Sequence, residues 1–202
     1  MKNLILHNYI PEKSIKLIEN LLEEYHFYLI IKNNRKTKHG DFRLLKNGNY
    51  QITINNDLNK YRFLITLIHE IAHLKTHQEN KTIIKQIKPH GIEWKLNFQQ
   101  LMLPFLTTDI FPDTILRVLA NYLRNPKAST DSDVHLSLKL KEQDAPNNKT
   151  YIFEIPLQTK FKYNNRIFVK GNKRRTRYEC TEIKTDKKYL FHQNAEVLII
   201  EL

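Results

Sequence analysis

The chain has 202 residues, 41% of them hydrophobic, which is enough for one substantial core plus a small second module and excludes wholesale disorder. Lys and Arg number 33 against 21 Asp and Glu, a formal net charge of +12 that attracts polyanions, nucleic acid ahead of membrane surfaces because no strongly amphipathic basic helix stands out. One cysteine, Cys180, excludes an internal disulfide, and no apolar run approaches the ~20 residues of a spanning helix.

The opening run MKNLILHNYIPEK is broken by His7, Asn8 and Pro11, too early for a signal-peptide core, so a cytoplasmic protein without membrane contacts is expected. Residues 11–25 carry Ile15, Leu17, Ile18, Leu21 and Leu22 as a helical stripe, with Glu12 near its start. Residues 26–32 (HFYLIIK) are aromatic and β-branched and read as a buried strand. A polar, basic turn or edge follows over 33–39 (NNRKTKH), then a candidate strand over 40–45 and a tight turn at Asn47-Gly48-Asn49. Residues 50–54 alternate apolar and polar, as a half-buried strand does. An edge strand beside a helix can pair with an extended peptide, and 50–54, just before the next helix, is the candidate for that role.

The next helix, expected over about 60–76, carries His69-Glu70-Ile71-Ala72-His73 in an apolar run. Residues four apart share a helix face, so His69 and His73 can offer two imidazoles to one ion. Glu70 stands about 100° round the helix, where it reaches a water on that ion without ligating it. A catalytic zinc takes three protein ligands and keeps a corner for water. His77 lies about 12 Å along the axis from His69 and is too far to join them, so it is expected as an exposed histidine at the helix end. The polar residues 78–82, then Pro89 and Gly91, let the chain double back. That makes His90 the candidate third ligand, with Glu93 as the alternative.

Residues 91–103 form the return helix, with Trp94, Phe98, Leu101 and Met102 facing the core; residues 111–124 form another, started by Pro112-Asp113 and stopped by Asn125-Pro126. Residues 126–150 then carry a linker composition, although Val134, Leu136, Leu138 and Leu140 alternate as in a strand. Residues 151–202 read as five short strands, the scale of a small barrel-like β module. Between Ile155 and Tyr178 eight cations occur without an acid, interleaved with Phe161, Tyr163, Phe168 and Tyr178. Cations that neutralise phosphates and aromatics that stack bases are what a single-strand-binding groove uses. Lys173, Arg174, Arg175 and Arg177 are its candidate contacts, and DNA, single-stranded or mixed, is the expected polyanion.

HEIAH followed by PHGIEW resembles the SprT-like zinc metallopeptidases, the group that includes Spartan, over about residues 11–106. The similarity is greatest to a bacterial subgroup with a small C-terminal β domain and, in that subgroup, a short helix where the linker is read here. The family's pattern is H-E-x-x-H, a later His-Gly, and an aromatic three residues after that Gly. Here these are His69, Glu70, His73, His90, Gly91 and Trp94. The resemblance implies Zn²⁺ on His69, His73 and His90, Glu70 as general base, and cleavage of DNA-associated proteins, as in DNA–protein crosslink repair. Many bacterial relatives end in a four-cysteine zinc ribbon, which a chain with only Cys180 cannot form.

The expectation is therefore an α+β protein: a zincin-like domain over 1–125, a linker over 126–150 and a basic β domain over 151–202, monomeric. Tyr61 and Tyr122 are the candidates for a second oxyanion stabiliser. The alternative reading is a non-proteolytic nucleic-acid-binding or transcription-associated protein with a structural or vestigial zinc site. An intact Glu70 speaks against it, since a structural site needs no general base and is usually closed by a fourth protein ligand.

Overall fold

A computed structural model describes residues 6–35, 37–81 and 88–200. It divides into two compact units, one ending at Asp144 and the other beginning at Ala145. The architecture is mixed α+β, with five α-helices and two sheets among the described residues.

In the first unit a 3₁₀ turn (Glu12–Ser14) leads into α1 (Ile15–Tyr25), which buries Ile15, Ile18 and Tyr25 at helical spacing. α1 stops at His26, whose left-handed backbone sends its N–H back to the Leu22 carbonyl. Three strands follow: β1 (Phe27–Lys32), β2 (Gly40–Leu44) and β3 (Tyr50–Asn55). Their order is β1-β3-β2, with β1 parallel and β2 antiparallel to β3. The strand expected as the substrate-pairing edge, 50–54, is therefore the middle of the sheet; its Ile52 and Ile54 are fully buried. The alternation of apolar and polar residues marked a strand but could not say which neighbours it had. The edge beside the motif helix is β2.

α2 (Lys60–Glu79) is the helix that the unit packs around. Asn59 caps it, its side-chain oxygen accepting from the Arg62 N–H while its amide donates to the Leu140 carbonyl and to Asp144. From Phe63 to Ala72 nearly the whole circumference is buried, with Phe63, Leu64, Ile65, Leu67, Ile68, Ile71 and Ala72 fully enclosed. At about 1.5–3 kcal/mol for each large apolar side chain, that burial outweighs the cost of enclosing the polar residues between them. β2 and β3 pack on one side of α2, and α3 (Ile92–Met102) on another.

α4 (Asp113–Leu123) buries Ile115, Leu119, Tyr122 and Leu123. The expected linker is largely folded: a 3₁₀ turn spans Thr130–Ser132, and α5 covers Val134–Lys141, capped by Asp133. Leu136 and Leu140, four apart, lie fully buried in the core of the first unit. Leucine at every second position also satisfies a short helix, and the cap at Asp133 decides the matter.

The second unit is a six-stranded antiparallel sheet of β4 (Lys149–Tyr151), β5 (Lys160–Tyr163), β6 (Arg166–Arg174), β7 (Arg177–Glu182), β8 (Lys188–His192) and β9 (Glu196–Ile199). Its order is β4-β9-β5-β6-β7-β8, and no pairing between β4 and β8 closes it among the described residues, so it is an open sheet and not the barrel expected. One face holds Ile152, Ile155, Phe161, Phe168, Cys180, Phe191 and Val197. A bulge between Lys170 and Lys173 bends β6 against β7; at Gly171 a Cβ would meet the Glu179 carbonyl oxygen at 2.5 Å, so only glycine fits. No helix among the described residues is long and apolar enough to cross a membrane.

Candidate metal centre

α2 delivers His69 and His73 from successive turns of one face, and the chain entering α3 delivers His90 from the opposite side. Their Nε2 atoms form a near-equilateral triangle: 3.2 Å from His69 to His73, 3.2 Å from His69 to His90 and 3.0 Å from His73 to His90. Ligand nitrogens on a tetrahedral zinc, bonded at about 2.0–2.1 Å, are separated by about 3.3 Å. Three converging imidazole nitrogens cannot all satisfy one another with protons, whereas one cation about 2 Å from each would satisfy all three. These histidines are the cluster with metal-binding geometry among the described residues, and they could hold a metal ion. Glu93, the alternative third ligand, is outside the cluster; its carboxylate turns back beside Gly91.

His90 reaches this position with φ of 61°, left-handed backbone that histidine adopts at some cost, at a turn closed by the Gly91 N–H on the Lys88 carbonyl. Trp94, one turn into α3 and almost fully buried, forms the floor. Its ring centroid lies 4.6 Å from those of His69 and His90 and 5.3 Å from that of His73, and it stacks on Phe98. Its indole N–H points at the His69 carbonyl, 3.4 Å away. An aromatic in place of a polar wall keeps the imidazoles dry. Burial, then the neighbouring imidazoles, hold His69 well below the usual histidine range; burial brings His73 down to about 4 and lowers His90 as well. All three are thus neutral near pH 7, the state in which histidine is a ligand.

Glu70 is buried next to His69 but aims at the sheet edge. Burial, reinforced by Asp41, pushes its carboxyl up to about 8, while the Phe42 N–H and the cations of Arg35 and Lys38 pull the other way. A divalent cation at the histidines would oppose the rise. The backbone of β2 presses directly on this carboxyl: a Cβ at Gly40 would stand 2.7 Å from its Oε1 and 2.8 Å from the Thr66 methyl. The Asn55 N–H bonds the His39 carbonyl and the Leu45 N–H bonds that of Asn49. Residues 39, 41, 43 and 45 therefore face β3, and Gly40, Phe42 and Leu44 turn their backbone groups outward.

Beside Glu70 and His69 opens a cavity of about 250 Å³, walled by Arg35, Lys38 and His39 before β2 and by residues 128–131 after α4. Asp131 closes it, its carboxylate accepting from Arg62 on α2 and lying 2.7 Å from the His39 Nε2. Those two partners hold Asp131 far below the usual carboxylate range against the opposing effect of burial. Sequence reading missed this wall. Arg35 and His39 lie in a stretch read as a polar, basic turn or edge, and Asp131 in one read as linker, about ninety residues away. A larger groove of about 590 Å³, lined by Arg117, Tyr122, Arg124, Asp133 and His135, contains none of the three histidines.

Other expected site residues fall elsewhere. Tyr122 donates its hydroxyl to the Lys127 carbonyl and Tyr61 packs on Phe111; neither lines the cavity. His77 is half-buried between the rings of Phe42 and Tyr50, not exposed at a helix end. In the second unit Lys173, Arg174, Arg175 and Arg177 are all exposed at the β6–β7 hairpin, with Arg174 3.1 Å from Glu179. Of the interleaved aromatics, Phe161 and Phe168 belong to the core. Lys170 is buried, its Nζ donating to the Ile155 carbonyl, and Arg166 pairs with Glu182.

No curated protein and no solved structure matches the chain. Residues 23–94 match the model of the IrrE N-terminal-like domain, peptidase family M78, a zinc-metallopeptidase-like family. The matched stretch runs from the end of α1 through the three-stranded sheet and α2 to Trp94, so over His69, Glu70, His73, His90 and the floor beneath them this chain is similar to a metallopeptidase domain.

Proposed function

We propose that the chain is a zinc-dependent endopeptidase of the SprT type that acts on DNA-associated proteins. The observation that supports it is the meeting of three imidazoles, neutral near pH 7 and within 3.2 Å of one another, with a buried glutamate that shares a cavity with His69 and is not among them. His69, His73 and His90 would hold the zinc, which when bound would supply a Lewis acid to acidify a water and polarise a carbonyl. Glu70 accepts the attacking water's proton at its carboxylate and hands it to the departing amide nitrogen. Phe42 N–H and the Gly40 backbone fix the carboxylate so that the proton moves over a short, set path. The outward backbone groups of β2 that neither the sheet nor Glu70 uses are suited to pair with an extended substrate beside the histidines.

The DNA association draws on the exposed cations of the β6–β7 hairpin, which can neutralise phosphates without a loss of core packing. A purely structural metal site fits less well: three ligands leave a corner open, and a buried Glu70 beside them without a ligand role suits a general base better than a structural ligand set. The test is metal content and cleavage in parallel. Glu70→Gln protein is expected to keep zinc and lose hydrolysis of DNA-bound protein; Glu70→Gln protein that still cleaves at the wild-type rate sinks the mechanism.

A further inference from the structure

The cavity beside the histidines has an unusual wall for a pocket that takes part of a peptide. Apart from Ala128 and the Gly40 backbone its lining is polar, and two side chains on it, Arg35 and Lys38, are cations, while His39 is paired with Asp131. Neither carboxylate on the lining, Asp131 or Glu70, is hydrogen-bonded to Arg35 or Lys38 among the described residues. Asp131 is taken by Arg62 and His39, and Glu70 by the Phe42 N–H. Arg35, half-buried, bonds only neutral oxygens among the described residues: Asn55 Oδ1 at 2.7 Å, Thr53 Oγ1 at 2.8 Å, and the carbonyls of His39 and Thr53. It is thus held rigidly in place with its charge unmatched by any hydrogen-bonded acid. Lys38 lines the same cavity, its ammonium 2.7 Å from the partly exposed Asp41.

Room and position fit a single side chain. At about 30 Å³ per water, 250 Å³ holds roughly eight waters, or a glutamate-sized group and a few waters. Successive side chains of an extended strand alternate in direction. A peptide laid along the outward edge of β2 would therefore send one side chain past Glu70 into this space. An apolar side chain there would strip water from Arg35 and Lys38 without return, whereas a carboxylate would replace that water with charge-assisted hydrogen bonds.

We propose that this cavity is the specificity pocket of the site and selects an acidic side chain, Glu or Asp, next to the bond to be cut. The inference rests on the peptidase reading for its bond-cutting half but not for its binding half. The test uses four blocked, fluorescent, alanine-rich hexapeptides that differ at one position: Glu, Gln, Leu or Lys. Zinc-loaded wild type is assayed for cleavage of each, and zinc-loaded Glu70→Gln protein for binding by anisotropy. The Glu peptide is expected to be bound and cut about tenfold better than its Gln isostere, the gain of one charge-assisted contact. That advantage is expected to vanish in Arg35→Gln, and in Lys38→Glu to reverse towards the Lys peptide; Lys38 is exposed enough for the second variant to fold even if the first does not.

A Leu or Lys peptide bound as well as the Glu peptide overturns the pocket. So does a Glu preference that survives both substitutions, which would mean that the carboxylate sits on the metal. If Glu70→Gln protein shows the preference while wild type cuts nothing, the pocket stands and the peptidase reading falls. If wild type cuts all four alike, the pocket falls and the peptidase reading stands.

Discussion

The two units place their polar chemistry in opposite ways. In the first, three histidines, a glutamate and a tryptophan N–H are drawn into a helix-and-sheet core, where each costs desolvation free energy. In the second, the cations of the β6–β7 hairpin stand in water on a sheet whose apolar face is complete without them. A buried ionisable group needs a reason, and a cluster of them around one point supplies it. A surface cation needs none, so its presence is weaker testimony. The same contrast sets the scale of what substitutions should do.

The largest effect is expected at the histidines. His90→Ala removes one of the three proposed ligands and should weaken zinc binding by roughly a thousandfold, several kcal/mol of the about 10–16 typical of a structural zinc site. Nucleic-acid affinity should be unchanged in the same protein, and metal titration beside a DNA-binding assay reads both. If metal and DNA affinity fall together, the separation of roles between the units is lost. Next comes Trp94→Ala, which empties the floor of the site and should cost about 3–5 kcal/mol in chemical denaturation. A loss under 1 kcal/mol would mean that Trp94 is not the packed floor described.

Gly40→Ala sharpens the comparison by separating metal from proton transfer. Its Cβ has no room beside Glu70, so hydrolysis should drop about a hundredfold with zinc content intact. In the second unit, replacing Lys173, Arg174, Arg175 and Arg177 with Gln should flatten the dependence of single-strand affinity on salt by about 3 log units per log unit. Melting temperature should hardly move; an unchanged salt slope would show that the hairpin does not contact nucleic acid.

The smallest effect is electrostatic. Glu182 is held down to about 2, first by the hydrogen bond from Arg166 and then by that from Thr185. A depressed carboxylate stabilises the fold above its ordinary value of 4.5, and that contribution is lost as pH falls from there towards 2. Thermal melts of the full chain at pH 6 and pH 3 should therefore differ less in Glu182→Gln than in wild type.

What could be read from the residues was whatever is local. The four-residue spacing of His69 and His73, the apolar run around them and the Pro-His-Gly return all lie within one helix–turn–helix, and spacing on a helix is geometry. The α1 stripe and the helix start at Pro112-Asp113 were legible for the same reason. Pairing was not. Strand alternation says which face is buried but not which neighbour lies alongside, so the edge role was given to β3 and the sheet of the second unit was closed when it is open. The cavity wall was out of reach, because Arg35, His39 and Asp131 meet only through the packing of α5 and its preceding turn against α2. Residues 126–133 have a linker's composition because polar turn residues also build a polar wall.

The most direct measurement is zinc K-edge X-ray absorption on the zinc-loaded full chain, compared with His90→Ala. Three nitrogen neighbours at about 2.0–2.1 Å and one non-protein oxygen are expected for wild type, with one nitrogen lost in the variant. Four protein ligands, or the same spectrum in both proteins, would contradict an open three-histidine site and with it the chemistry proposed for Glu70.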